Sequence, residues 1–134
     1  MPGTPHQRVL VVEDDASVRP FVDRVLREAG STVWVAADGP EGLRMIARQP
    51  PFDLFVIDVM MQMRGDALAT DIRRHDSDAK VLYFTGYSDE LFRTKPMFWE
   101  SEAFLTKPAN VRALIEAVSL LLYGHTQGPQ TNTS

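Results

Sequence analysis

The chain has 134 residues, of which 44% are hydrophobic and 24% charged, an ordinary composition for one globular domain with a single core. Its formal net charge of −4 favours neither nucleic acid nor an anionic membrane as a partner, and the absence of cysteine excludes disulfides and thiolate metal ligands. Because no signal-peptide pattern or long apolar stretch is present, we predict a cytoplasmic protein without membrane contact.

The two ends of the chain differ in composition from its middle. Residues 1–7 lack apolar periodicity and are predicted to form a flexible arm. Residues 124–134 have the polar composition of a disordered tail. The folded unit is therefore predicted to span residues 8–123.

The first predicted element is a strand at Val9–Val12, which is followed directly by three acids at residues 13–15. A helix comes next, because apolar residues recur at steps of three and four. Pro20 is tolerated in the first turn of this helix, and Gly30 is its expected C-terminal stop. The apolar stripe consists of Val18, Val22, Val25, Leu26 and Ala29.

A second strand is predicted around Trp34. Residues 38–41, Asp-Gly-Pro-Glu, are typical of a capped helix start, and the two prolines at 50–51 end that helix. Its predicted buried side chains are Leu43, Ile46 and Ala47. The third strand, Leu54–Ile57, ends at Asp58.

A third helix is marked by Leu68 and Ile72, and Gly65 lies at its start. The fourth strand, Val81–Phe84, ends at Thr85, whose hydroxyl group is a potential hydrogen-bond donor.

Ser88 can cap a fourth helix, although Pro96 is expected to break or shorten it. The fifth strand, Ala103–Leu105, is followed by Thr-Lys-Pro at residues 106–108. The last helix is predicted to start at Asn110. Its wide apolar face comprises Val111, Leu114, Ile115, Val118, Leu121 and Leu122.

Alternation of strands and helices predicts a parallel sheet with helices on both faces, a three-layer α/β sandwich. The nearly uniform apolar character of the strands agrees with a sheet that is covered on both sides. In such a sheet the carboxyl ends of the strands share one edge, where ligands bind. The polar residues that follow four of the five strands are therefore predicted to form a site.

The acids at residues 13–15 and Asp58 would repel one another if they met at this edge, unless a cation offset them. Mg²⁺ suits such a group of oxygen ligands. An alternative is that residues 13–15 only cap the first helix, but Asp58 does not lie at a usual capping position. Lys107, restrained by the following proline, can place a charge near a phosphoryl oxygen. The identical Lys-Pro pair at 95–96 lies in a helical segment instead.

Four short motifs follow one another along the chain, and their order is more specific than any one of them: Val-Val-Glu-Asp-Asp, Asp-Leu-Phe-Val-Ile-Asp, Phe-Thr-Gly and Phe-Leu-Thr-Lys-Pro. In this order they resemble the response-regulator receiver domains of two-component signalling, over residues 8–122. The resemblance implies a flavodoxin-like fold with five helices and a five-stranded parallel sheet of order 2-1-3-4-5. It also implies a phosphoryl-accepting switch that works in a phosphorelay with Mg²⁺.

The resemblance assigns a role to each site residue. Asp58 would accept the phosphoryl group, and Thr85 and Lys107 would contact it. The metal ligands would be Glu13 through water, Asp14 and Asp58 directly, and the backbone carbonyl of Met60. Thr85 and Phe104 would form the switch, in which the aromatic ring moves inward after phosphorylation.

The implied partners are a histidine kinase or phosphotransfer protein and an unknown downstream protein, with the chain itself a monomer or weak homodimer. Two departures from the family pattern concern the loop after Asp58: Gln62 replaces the usual proline, and Gly65 comes one residue early. They leave open an alternative, a receiver-like interaction module that takes no phosphate. A phosphatase would need an acid where Met60 lies, so no enzyme is predicted. Residues 95–99 are either core or a partner-binding patch.

Overall fold

The computed structural model describes residues 7–48, 51–58, 65–86 and 101–124. Several predictions fall on the remaining residues and lie outside this description. They concern the arm at 1–6, the carbonyl of Met60, the loop at Gln62, the fourth helix and apolar segment within 87–100, and the tail at 125–134.

Five strands and four helices alternate along the described chain, which confirms the predicted α/β architecture. Their bounds are β1 Arg8–Val12, α1 Arg19–Glu28, β2 Thr32–Ala36, α2 Gly39–Arg48, β3 Leu54–Ile57, α3 Gly65–His75, β4 Val81–Thr85, β5 Glu102–Thr106 and α4 Val111–Tyr123. All neighbouring strands are parallel, in the order β2-β1-β3-β4-β5. Among the described helices, none has the length and apolar character needed to cross a lipid bilayer.

The helix ends follow the predicted signals. Asp38 accepts a hydrogen bond from the backbone N–H of Glu41 at 2.8 Å, and the Glu41 carboxylate accepts one from Ala37 N at 2.6 Å. Asn110 caps α4 in the same way by accepting from Ala113 N at 2.8 Å. These side chains satisfy backbone donors that a helix start leaves unpaired. Capping side chains close to each helix start therefore determine where α2 and α4 begin.

Each face of the sheet has its own core, because alternate side chains of a strand point to opposite faces. On one face, Leu10, Ile57, Leu68, Ile72 and Tyr83 belong to a cluster that includes α3 and the partly buried side chains of α2. On the other face, Val11, Val56, Val22, Leu26 and Leu114 belong to a cluster with α1 and α4. The central strands β1 and β3 are consequently buried on both sides, and their carboxyl ends are held rigidly.

Three residues of the predicted apolar stripes are exposed instead, namely Ala29, Ala47 and Val111. In α2, Gly42 faces the sheet, and an added Cβ there would lie 3.0 Å from Val12 Cγ2. Ala47 comes five residues later and so lies on a different face of the helix. Ala29 follows the last residue of α1, and Val111 lies in the first turn of α4, ahead of the core residue Leu114.

A buried ion pair that the sequence did not indicate joins α3 to β5. Arg73 Nη1 lies 2.8 Å from Glu102 Oε2, and the two side chains are 10% and 0% exposed. The Tyr83 hydroxyl donates to the same carboxylate oxygen at 3.4 Å, and Arg73 Nη2 donates to Ala79 O at 3.3 Å. The edge strand is thus attached to the helix layer by charged as well as apolar contacts.

Candidate functional site

The site lies at the carboxyl ends of the two central strands. Glu13 follows β1 and Asp58 follows β3, and these strands are paired with Val12 opposite Ile57. The Asp58 N–H donates to Val12 O at 3.0 Å, and the Glu13 N–H donates to Ala36 O at 3.1 Å. Sheet hydrogen bonding therefore continues through both acids and brings their side chains to one point.

Three carboxylates converge there, as predicted. Glu13, Asp14 and Asp58 each offer an oxygen, and these oxygens lie within 4.8 Å of one another. Glu13 and Asp58 are 2% and 6% exposed, whereas Asp14 is open to solvent. Glu13 and Asp58 thus form the buried part of the pocket, and Asp14 lies on its solvent-exposed side.

Lys107 reaches the same pocket from the end of β5. Its Nζ lies 2.7 Å from Glu13 Oε1 and 3.5 Å from Asp58 Oδ2. Its backbone N–H donates to Thr85 O at 2.8 Å, which continues the pairing of β4 with β5 beyond the strands. The structure therefore brings together the four residues on which the predicted site depends, with Glu13 as the nearer partner of the lysine.

The carboxylates remain short of positive charge in spite of Lys107. Burial, together with neighbouring Asp58 and against the opposing effect of Lys107, raises the pKa of Glu13 to about 7. Burial and Asp58 also raise the pKa of Asp14. Raised pKa values mark carboxylates whose charge is poorly compensated. A hard cation with oxygen ligands would supply the missing charge, so the donor set fits Mg²⁺.

The third acid of the predicted cluster, Asp15, has a different role. Its carboxylate accepts hydrogen bonds from the Ser17 N–H at 2.8 Å and the Ser17 hydroxyl at 2.7 Å. The hydrogen bond from the Ser17 hydroxyl is the main reason why the pKa of Asp15 lies below its usual value. Asp15 therefore stabilises the turn before α1. It does not cap the helix through its side chain, because the N-cap residue is Val18 and no side-chain hydrogen bond caps α1.

The two predicted switch residues lie on neighbouring strands. Thr85 is fully buried at the end of β4, and Phe104 in β5 is 39% exposed. Phe104 pairs in register with Tyr83, two residues before Thr85. Since side chains alternate along a strand, Thr85 and Phe104 belong to the same face of the sheet.

Beside the pocket lies an apolar cleft of about 440 Å³. It is lined by Asp15, Ser17, Val18, Phe21, Phe84, Lys107, Pro108 and Ala109. Sequence patterns did not indicate this cleft, because its lining residues come from four separate segments: the turn before α1, α1 itself, β4 and the loop after β5. The cleft and the carboxylate pocket share Lys107.

Fold and site together define a flavodoxin-like domain with an acidic, lysine-bearing pocket at the carboxyl edge of its sheet. Residues 9–119 match the family model of the response regulator receiver domain. The chain belongs to this family, as the sequence motifs predicted.

Known proteins of this family are similar in sequence and in structure. The transcriptional regulatory protein PrrA of Mycobacterium tuberculosis is 33% identical over 90% of this chain and 52% of its own length. The chemotaxis response regulator CheY4 of Vibrio cholerae is 30% identical, with a TM-score of 0.77 over 88% of this chain and 100% of that one. The response regulator TrrA of Thermotoga maritima, solved in complex with Mg²⁺-BeF, is 30% identical, with a TM-score of 0.72 over 87% and 99%. The chain spans about half the length of the curated relatives it matches.

Proposed function

We propose that this receiver domain is a phosphoryl-accepting switch with Asp58 as its acceptor. The supporting observation is the convergence of Asp58, Glu13 and Lys107 in one largely buried pocket. Such a pocket combines a nucleophilic carboxylate, a fixed positive charge and further oxygen ligands. These are the groups that phosphoryl transfer to a carboxylate requires.

The phosphoryl group comes from a phosphohistidine of a histidine kinase or phosphotransfer protein. An Asp58 oxygen attacks phosphorus, a P–O bond forms, and the P–N bond to imidazole breaks. The imidazole retains the bonding electrons and takes up a proton. Lys107, whose Nζ lies 3.5 Å from Asp58, reduces the repulsion between the acceptor and the incoming anion. The domain accepts one phosphoryl group and is not a turnover enzyme.

The proposed ligands of Mg²⁺ are Asp14 and Asp58, with Glu13 acting through water. The backbone carbonyl of Met60, outside the described residues, completes the set. When bound, the ion supplies positive charge that neutralises the phosphoryl oxygens. The structure of TrrA with Mg²⁺-BeF supports this proposal, because that relative shares the receiver fold.

The switch is proposed to run from Thr85 to Phe104. A phosphoryl group on Asp58 offers new acceptor oxygens to the buried Thr85 hydroxyl. Movement of Thr85 leaves space that the half-exposed Phe104 ring fills. Because phenylalanine has no hydroxyl group to desolvate, its burial is favoured by the hydrophobic effect alone. The surface around β5 changes as a result, and a downstream protein reads this change.

Treatment with Mg²⁺ and acetyl phosphate tests the proposed function. Intact-mass measurement is expected to show one added phosphoryl group, stable in acid and labile in base. Asp58→Asn is the matched control, since it keeps the shape of the side chain but removes the attacking carboxylate; it should stay unmodified. A folded wild-type protein that gains no mass would contradict the proposal and favour an interaction module that takes no phosphate.

The phosphodonor protein is proposed to dock on the apolar cleft. Its phosphohistidine must reach Asp58, and the cleft lies beside the pocket and shares Lys107 with it. Phe21 and Pro108 offer apolar contact area in that position. The net charge of −4 favours a protein partner over nucleic acid, although PrrA is named as a transcriptional regulator. The chain itself is proposed to be a monomer or weak homodimer.

Phe21→Ala should separate docking from chemistry. We expect phosphotransfer from a histidine kinase, chosen because it labels the wild type, to slow by about tenfold, as loss of one interface anchor predicts. Labelling by acetyl phosphate should keep its wild-type rate, because Phe21 lines the cleft and is not one of the residues of the carboxylate cluster. Time courses of Asp58 labelling with both donors measure the two rates. Equal slowing with both donors would argue against docking at the cleft.

A further inference from the structure

Glu13 is held at the site by hydrogen bonds from four different places. Its N–H is bonded to β2 through Ala36 O at 3.1 Å. Its carboxylate accepts from Lys107 at 2.7 Å and from the Asp15 N–H at 3.2 Å. The fourth bond comes from α1, where Arg19 Nη1 donates to the backbone carbonyl of Glu13 at 2.9 Å.

The bond from Arg19 is the one that acts on the main chain between the two proposed metal-binding acids. The Glu13 carbonyl belongs to the peptide unit that leads into Asp14, so fixing it limits rotation of that peptide. Arg19 is well placed for this role, because it is the first residue of α1 and its own N–H is bonded to Asp15 O at 3.1 Å. The side chain thus folds back from a rigid helix onto the acidic loop.

We propose that Arg19 is a positioning residue for the metal and phosphoryl site, an inference that rests on the proposed function. Its guanidinium fixes the peptide after Glu13 so that the Asp14 carboxylate faces Asp58. Without this bond the peptide can rotate, and the exposed Asp14 side chain moves away from the pocket. Residues that orient metal ligands in this way alter metal affinity by about 10–100-fold when they are removed.

The charge of Arg19 and its positioning role predict opposite outcomes. A guanidinium near carboxylates competes electrostatically with a cation, so removing charge alone would tighten Mg²⁺ binding. Loss of positioning would weaken it. The direction of the change in Mg²⁺ affinity therefore decides between the two.

Calorimetric titration of Mg²⁺ into the full chain and its variants provides the test. We expect Arg19→Met to weaken Mg²⁺ binding by about tenfold while the protein remains folded by circular dichroism, and Arg19→Lys, which retains a charged donor, to recover part of the affinity. Arg24→Met is the matched control, because Arg24 lies on the same helix with its side chain 79% exposed and paired with Glu28.

Unchanged or tighter binding by Arg19→Met would overturn the inference, as would equal weakening by Arg24→Met. Urea unfolding of the same variants adds a second readout, because a merely structural arginine would lower stability without changing the Mg²⁺ affinity of the folded protein. If the wild type itself binds no Mg²⁺, the proposed function fails. If the wild type binds and Arg19→Met matches it, only the role of Arg19 fails.

Discussion

Replacement of Arg73 by methionine is expected to lower the free energy of unfolding by about 3–5 kcal/mol. The substitution leaves the Glu102 carboxylate buried without the guanidinium that lies 2.8 Å from it. The nearby Tyr83 hydroxyl, at 3.4 Å, cannot compensate a full charge. A loss of this size is a large fraction of the stability of a small domain. Urea unfolding followed by circular dichroism measures it.

Arg74 provides the control for this experiment. It is the next residue of α3, its side chain is 72% exposed, and it pairs with Asp71 at 3.0 Å. Exposed pairs of this kind contribute less than about 1 kcal/mol, so Arg74→Met should change stability little. Equal losses in the two variants would contradict a special contribution from the buried pair.

A double variant separates the charge from the packing of Arg73. Arg73→Met combined with Glu102→Gln removes both charges and keeps an acceptor for Tyr83. Since the cost of Arg73→Met comes from a buried carboxylate that has lost its guanidinium partner, the double variant should recover to within about 2 kcal/mol of the wild type. A double variant no more stable than Arg73→Met alone would show that the cost lies in lost packing instead.

This ion pair illustrates what the sequence could not predict. Strand ends and helix caps follow from local patterns, and Asp38, Asn110 and Gly30 act as their residue types indicate. The strand order was implied by the resemblance to receiver domains. Arg73 and Glu102 lie far apart in the chain and have no shared local pattern. The available signals were weaker: Arg73 follows buried Ile72, and Glu102 lies two residues before Phe104 on the same strand face. The packing of α3 against the sheet and the register of β4 with β5 together bring them into contact.

The same distinction applies to the site. The meeting of Glu13, Asp58 and Lys107 could be predicted, because each of them follows a predicted strand and the carboxyl ends of parallel strands share one edge of the sheet. The preference of Lys107 for Glu13, at 2.7 Å against 3.5 Å to Asp58, depends on side-chain length and rotamer. No spacing rule supplies such detail. The contact between Arg19 and the Glu13 carbonyl was missed for a similar reason, because a long side chain that folds back onto a loop leaves no periodic signal.

Replacement of Lys107 by methionine is expected to slow labelling of Asp58 by acetyl phosphate by about 100-fold or more, the loss typical of removing one preorganised charge from a reaction centre. Three carboxylates would then face the incoming anion without the ammonium group that touches two of them. Mg²⁺ should bind more tightly at the same time, because the lysine no longer competes for Glu13 Oε1. Opposite changes in rate and affinity distinguish this effect from general damage to the pocket, which would weaken both.

Lys80→Met is the matched control for Lys107→Met. Lys80 lies just before β4, at the amino-terminal ends of the strands and so at the far end of the sheet from the carboxylate pocket. Its Nζ donates to Leu122 O at 3.3 Å. The substitution removes the same charge and leaves the carboxylate pocket intact, so rate and Mg²⁺ affinity should stay near their wild-type values. Because both variants change the net charge equally, a difference between them reports the position of Lys107. Wild-type labelling by Lys107→Met would mean that Mg²⁺ alone neutralises the phosphoryl group, and that the lysine serves chiefly to hold buried Glu13 in the metal-free protein.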